Sequence, residues 1–253
     1  MMNLNKSSSQ NTPIKKLALS TQKAQRNFYA SSSETLRNRL IKKIGAQFSD
    51  PKIQKKILKA SAGDCEKFSK SPDFSSATLD RLQLTPQRLQ SLTATSNLIA
   101  RQRPVLGRSK PHLTTPKGLK IAREHVPIGV IALIFEARPN VLIEAILLAL
   151  KSGNGLIMKG GTYGALTFME MMKVVKKVLK EEKINPHLFE LINPTQKEQS
   201  RIAIKELITL TGVIDLVIPR GTEELVNFIK THAQVPVIGH SKGLCHLYLH
   251  ADA

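Results

Sequence analysis

Tryptophan is absent from the 253 residues, and aromatic side chains make up only 4% of them, which leaves few platforms on which unpaired bases could stack. Cysteine is nearly as scarce. Cys65 and Cys245 are far apart and lack framework spacing, so nothing calls for an oxidising compartment and a reducing cytoplasm is expected. No apolar run reaches the ~18 residues of a membrane span, which excludes a membrane-crossing helix. Acidic residues are also few, 19 against 38 Lys and Arg, for a formal charge of +19. Such a balance raises nucleic acid as a ligand. The cations are spread along the chain in small runs, such as Lys15 with Lys16 and Lys176 with Lys177, so nucleic acid is not expected as the primary partner.

What is present is an ordinary globular composition, 41% apolar, long enough for one large α/β domain or two small ones. Residues 1–33 carry no acid before Glu34 and are rich in Ser and Lys. That composition is similar to an organellar transit peptide. Arginine is sparse and no long apolar face is visible, so a disordered basic leader running into a first helix is the preferred reading. From about Ser33 to Lys70, Leu36, Leu40, Ile44, Ile53 and Ile57 recur at helical spacing, broken at Asp50 and Pro51. A helix, turn and second helix follow, with Thr85 as N-cap and Pro86 at the first helical position. The Pro- and Gly-containing residues 101–115 read as a connection.

The pattern changes at Val126. Apolar runs at 128–135, 155–159, 187–192 and 213–218 alternate with helical segments at 140–151, 162–182, 196–210 and 222–231, and shorter strands are expected at 235–238 and 246–250. Strands alternating with helices predict an α/β fold with a doubly wound, mainly parallel sheet. Three organisational units follow: the leader 1–33, a helical region 34–125, and a Rossmann-like part 126–253.

Ligands of such sheets sit at the carboxyl ends of the strands. Here those ends read Glu136-Ala137-Arg138-Pro139-Asn140, Lys159-Gly160-Gly161 and Pro219-Arg220-Gly221-Thr222. Cations, glycine turns and helix N-termini on one edge favour an anion, and a phosphate-bearing cofactor or substrate is the natural occupant. Neither of the usual dinucleotide or P-loop glycine fingerprints is present. The last residues, VIGHSKGLCHLYLHADA, gather Cys245, His246 and His250. On a strand the two histidines would share one face while Cys245 points to the other, so no metal site is expected there.

The segments VPIGVIALIFEARPNV, LKSGNGLIMKGG, IDLVIPRGTEELV and VPVIGHSKGLCHLYLHADA closely resemble those of the gamma-glutamyl phosphate reductases, members of the aldehyde dehydrogenase superfamily. LDRLQLTPQRL also matches. The resemblance implies an aldehyde-dehydrogenase-like fold with N-terminal helices, and an oxidoreductase of proline biosynthesis. Such an enzyme reduces L-glutamyl 5-phosphate with NADPH to L-glutamate 5-semialdehyde and phosphate, through a cysteine acyl-enzyme.

By position, Lys159, followed by Gly160 and Gly161, is implied to meet the adenosine ribose or 2′-phosphate. Pro219, Arg220, Gly221 and Thr222 are implied to open the helix facing the pyrophosphate, and Arg138 and Asn140 to approach the reacting acyl group. Cys245 aligns with a family cysteine that is not the nucleophile. The nucleophile of the family lies in a segment resembling PAACNAxETLLVH that this sequence does not contain, so the chain alone is expected to be inactive. A glutamate 5-kinase or a complementing C-terminal chain is a candidate partner. The alternative is a non-catalytic basic α/β module that binds NADP(H) or nucleic acid. The high positive charge departs from the family, whose members are commonly acidic to neutral.

Overall fold

The computed structural model describes residues 12–104, 106–107, 109–192, 197–239 and 247–250. Five helices come first: α1 (Pro13–Ser31), α2 (Glu34–Gln47), α3 (Pro51–Ser69), α4 (Ser76–Leu82) and α5 (Pro86–Arg101). Each opens on a short polar side chain. Thr12, Ser33, Asp50, Ser75 and Thr85 lie in extended backbone, and each accepts from an otherwise orphan N–H of the first helical turn. Pro13, Pro51 and Pro86 fall at helix starts, where the missing N–H costs nothing.

A hairpin of β1 (Ser109–Thr114) and β2 (Lys120–Glu124) leads to the main sheet. That sheet holds β3 (Val130–Phe135), β4 (Gly155–Lys159), β5 (Phe189–Ile192) and β6 (Leu216–Arg220) in the order β5-β4-β3-β6, every pair parallel. The connecting helices are α6 (Pro139–Lys151), α7 (Ala165–Glu181) and α8 (Lys197–Leu207), and α9 (Glu223–His232) follows β6.

Every residue of β3 is buried, and the side chains divide by period two. Ile131, Leu133 and Phe135 enter a core with Leu40, Phe48, Leu92, Leu147 and Phe168, built against α2, α5, α6 and α7. Val130, Ala132 and Ile134 enter a second core with Ala18, Leu207 and Ile229, on the side of α1, α8 and α9. Both faces are covered, which is why the strands read as unbroken apolar runs rather than alternating ones.

Several expectations change. The first helix expected after the polar leader is α1, which begins as early as Pro13 and is part of the core. Its buried residues, Ala18, Thr21, Ala24, Gln25 and Phe28, are mostly small or polar and escape a search for large apolar side chains. They let the helix approach β4 closely: a Cβ on Gly155 would lie 2.9 Å from Gln25 Cβ, and Gln25 Nε2 donates to the Gly153 carbonyl at 3.0 Å. The connection expected at 101–115 contains β1. At 235–238 there is no strand but one bridge, Val237 to Val217, because Pro236 has no N–H to extend a ladder. Residues 247–250 are not a strand either, and Leu247, Tyr248 and Leu249 are well exposed. The 213–218 strand runs instead over Leu216–Arg220, because residues 207–214 first close a series of turns.

Candidate functional site

The parallel register brings the expected residues to one edge. Lys159 pairs with Ile134, which pairs with Pro219, so the ends of β4, β3 and β6 form one rung, with Phe135 and Arg220 one step beyond. Each strand then turns into a helix. After β4, Gly160 packs against Phe168: a Cβ there would come within 2.4 Å of that ring. After β6, Thr222 caps α9, and a Cβ on Gly221 would lie 2.7 Å from the Glu136 carboxyl carbon. A Cβ on Gly161 would lie 3.3 Å from the Glu136 carbonyl carbon.

Within the edge lies a cavity of about 440 Å³. Arg138, Pro219, Arg220, Gly221 and Thr222 line it, together with Arg81 from α4 and Glu136. The Thr222 hydroxyl donates to Glu136 Oε1 at 3.2 Å. Arg138 occupies the N-cap position of α6 without spending its side chain on a capping bond. A broader groove of about 670 Å³ lies between α7 and β5, but it contains none of the edge residues and is rimmed by lysines.

Not all expected residues meet in the cavity. Side chains alternate along β4, with Met158 in the core of α6 and α7 and Ile157 in that of α1 and α8, so Lys159 follows Ile157 to the second face. The cavity opens on the first face, over Phe135, Val141 and Ile218. Lys159 is 5% exposed, and burial pushes its ammonium down to about 8, opposed by the nearby Glu136 carboxylate. Asn140 lies in the first turn of α6 and donates to Glu144 Oε1 at 3.1 Å, and it does not line the cavity. Thr78, Arg81 and Glu136 are not among the site residues expected from the sequence. Glu136 is visible at the end of its strand, whereas Arg81 carries no local signal and is delivered by tertiary packing of α4.

The donor set suits phosphates: guanidinium groups, a hydroxyl and the start of a helix around one cavity. Glu223 and Glu224 already place negative charge in the first turn of α9, so the guanidiniums rather than the helix start supply most of the attraction. Cys65, half-buried on α3, is no activated nucleophile, because burial pushes its thiol up. Cys245 and His246 lie outside the described residues. Among the described residues no cluster could hold a metal ion, and no helix is long and apolar enough to cross a membrane.

These features define an aldehyde-dehydrogenase-like fold. The structure superposes on the glyceraldehyde-3-phosphate dehydrogenase of Methanocaldococcus jannaschii, solved with NADP, with a TM-score of 0.64 over 91% of this chain and 46% of that one; at 14% identity this shows the fold alone. The likeness to gamma-glutamyl phosphate reductases goes further. The Thermotoga maritima structure matches with a TM-score of 0.81 and 30% identity, covering 89% of this chain and 53% of that one. The reductase of Bacteroides thetaiotaomicron is 40% identical over 176 residues, 70% of this chain and 41% of the relative. That of Thermodesulfovibrio yellowstonii is 34% identical over 244 residues, 95% of this chain and 56% of the relative. No protein-family model matches. The chain belongs to the gamma-glutamyl phosphate reductase family, and it spans about half the length of the curated relatives it matches.

Proposed function

We propose that this chain supplies the cofactor-binding half of a reductase that converts L-glutamyl 5-phosphate to L-glutamate 5-semialdehyde with NADPH. Residues 126–253 form the NADPH-binding part and residues 34–125 the helical region packed against it. The cofactor would supply the hydride. The protein's own part is to hold the dinucleotide at the carboxyl edge and to orient the acyl phosphate beside it.

Lys159 meets the adenosine ribose or the 2′-phosphate, Gly160 and Gly161 turn the chain away from that contact, and Pro219, Arg220, Gly221 and Thr222 present the start of α9 to the pyrophosphate. Arg138 faces the substrate's anion, and Asn140, two residues further on in the first turn of α6, approaches the reacting acyl group. The observation that carries the reading is the placement of Lys159: a buried cation ending a central parallel strand, in no ion pair among the described residues. A charge in that position is stabilised by an arriving anion.

The test is titration of the purified protein with NADPH, followed by nicotinamide fluorescence, for the parent and for Lys159→Met. Saturable binding that weakens about tenfold or more in the variant supports the reading. Absence of NADPH binding together with steeply salt-dependent DNA binding would replace it with the nucleic-acid module.

A further inference from the structure

Arg37, Arg39 and Arg88 each spend their guanidinium on oxygen partners: the Ser32 carbonyl, Glu182 and Asp80 respectively. Of the arginines that do not, three share one cavity. Among the described residues Arg81, Arg138 and Arg220 take part in no side-chain hydrogen bond or ion pair, and all three line the 440 Å³ cavity. They come from three separate places: the last turn of α4, the loop after β3 and the end of β6. Among the described residues the cavity's lining includes one carboxylate, Glu136, which already accepts the Thr222 hydroxyl. Three exposed guanidiniums against one carboxylate give the cavity a net positive lining, which attracts an anion.

Arg81 is also fixed in place. Its neighbour Leu82 is fully buried, and the Leu84 N–H donates to the buried Ser61 Oγ at 3.0 Å. Arg88 grips the chain on both sides of it, bonding the carbonyls of Asp80 and Gln83. The backbone that carries Arg81 is therefore held, and its side chain is left for the cavity. We infer that Arg81, Arg138 and Arg220 form a binding site for a phosphate dianion, with Arg81 as a ligand contributed by the helical region across the sheet edge.

The inference rests on the proposal that this edge takes a phosphate-bearing ligand, and it adds the chemical group and the residue that closes over it. The phosphate could belong to the dinucleotide, which would bring Arg138 to the cofactor, or to the acyl phosphate, which would bring Arg220 to the substrate, and guanidinium forks suit either.

The experiment measures inorganic phosphate binding by calorimetry at neutral pH and fixed ionic strength, for the parent, Arg81→Gln, Arg81→Lys and the remote surface variant Lys52→Gln. The parent is expected to bind saturably, Arg81→Gln about tenfold or more weakly, Arg81→Lys between the two, and Lys52→Gln like the parent. Thermal stabilisation by phosphate, read on the same four proteins, shows whether each variant is folded and bound. No saturable binding by the parent, an unchanged Arg81→Gln, or an equal loss in Lys52→Gln overturns the inference. Repeating the titration with NADPH present assigns the source: competition places the cofactor's phosphate in the site, and independent binding places the substrate's there. Failure here with Lys159-dependent NADPH binding intact would leave the cofactor reading standing.

Discussion

Asp64 of α3 caps α7: its Oδ2 accepts both the backbone N–H of Thr167, at 2.8 Å, and that residue's hydroxyl, at 2.6 Å. The Leu166 N–H donates to Oδ1 at 3.3 Å. The residue before α7 is Gly164, which has no side chain to do this, so a tertiary carboxylate satisfies the orphan donors of a helix that packs over the sheet. Replacing Asp64 with Ala leaves those buried donors unpaired and should lower stability by about 1–3 kcal/mol in denaturant unfolding. A smaller loss would mean that water reaches them.

The pH dependence of the same carboxyl follows from its burial. Desolvation pushes the Asp64 carboxyl up, against three hydrogen bonds that favour its charged form. A carboxyl raised in the folded state binds its proton more readily there than in the unfolded chain. Its contribution to stability is greatest below the unfolded value of about 3.9 and is lost as pH rises through the folded one. The stability of the parent relative to Asp64→Asn should therefore fall as pH rises from about 3 towards neutrality, read from denaturant unfolding of both proteins across that range. A difference that rises instead contradicts the assignment.

Lys151 ends α6 almost completely buried, and its ammonium bonds Asn38 Oδ1 at 2.8 Å, the Ala100 carbonyl at 3.3 Å and Glu34 Oε1 at 3.4 Å. It ties α6 to α2 and to the end of α5. Lys151→Met keeps the stem but strips the acceptors of their donor, and should cost about 1–3 kcal/mol. Glu34 is a third exposed, so Glu34→Gln should cost less than ~1 kcal/mol. If the two variants lose equally, the ion pair and not the neutral acceptors holds the junction.

The alternation of apolar strands with helices made the parallel sheet legible, because strands covered on both faces must be apolar throughout. The strand ends were legible too, since Arg138, Lys159 and Arg220 interrupt those runs. What was hidden depends on partners remote in sequence. α1 approaches the sheet through Thr21 and Gln25, whose sizes matter only once Gly155 stands opposite. The split of Lys159 from the cavity follows from strand alternation, which grouping residues by strand end does not display. Arg81 needed the packing of α4 to bring it to the edge, and no spacing in the sequence reports that distance.

Gly129 enters β3 at φ +124°, and a Cβ there would stand 2.1 Å from Asp215 Oδ2. Asp215 accepts the Val130 N–H at 2.7 Å through that same oxygen, joining the starts of β3 and β6. Gly129→Ala therefore meets both backbone strain and displacement of the carboxylate, for an expected loss of about 2–4 kcal/mol. Asp215→Ala in the same chain removes the clash but not the strain. The double variant should be less damaged than the sum of the two single ones, read from a double-mutant cycle. Simple additivity would show that strain alone sets the cost.

Lys159 gives the cofactor reading a pH signature. With its ammonium pushed down to about 8 in the free protein, the side chain is half neutral near that pH and mostly neutral above it. A phosphate arriving beside it favours the charged form and raises the value again. Affinity for NADPH should then fall as pH rises through 8, and binding near pH 8 should take up as much as about half a proton per site. The phosphate itself titrates near 6, well below this window, so the uptake belongs to the protein. Calorimetry at pH 8 in two buffers of different ionisation enthalpy reads the proton count directly. Lys159→Met should abolish the uptake and flatten the pH dependence of affinity, whereas equal uptake in parent and variant would place the titrating group elsewhere.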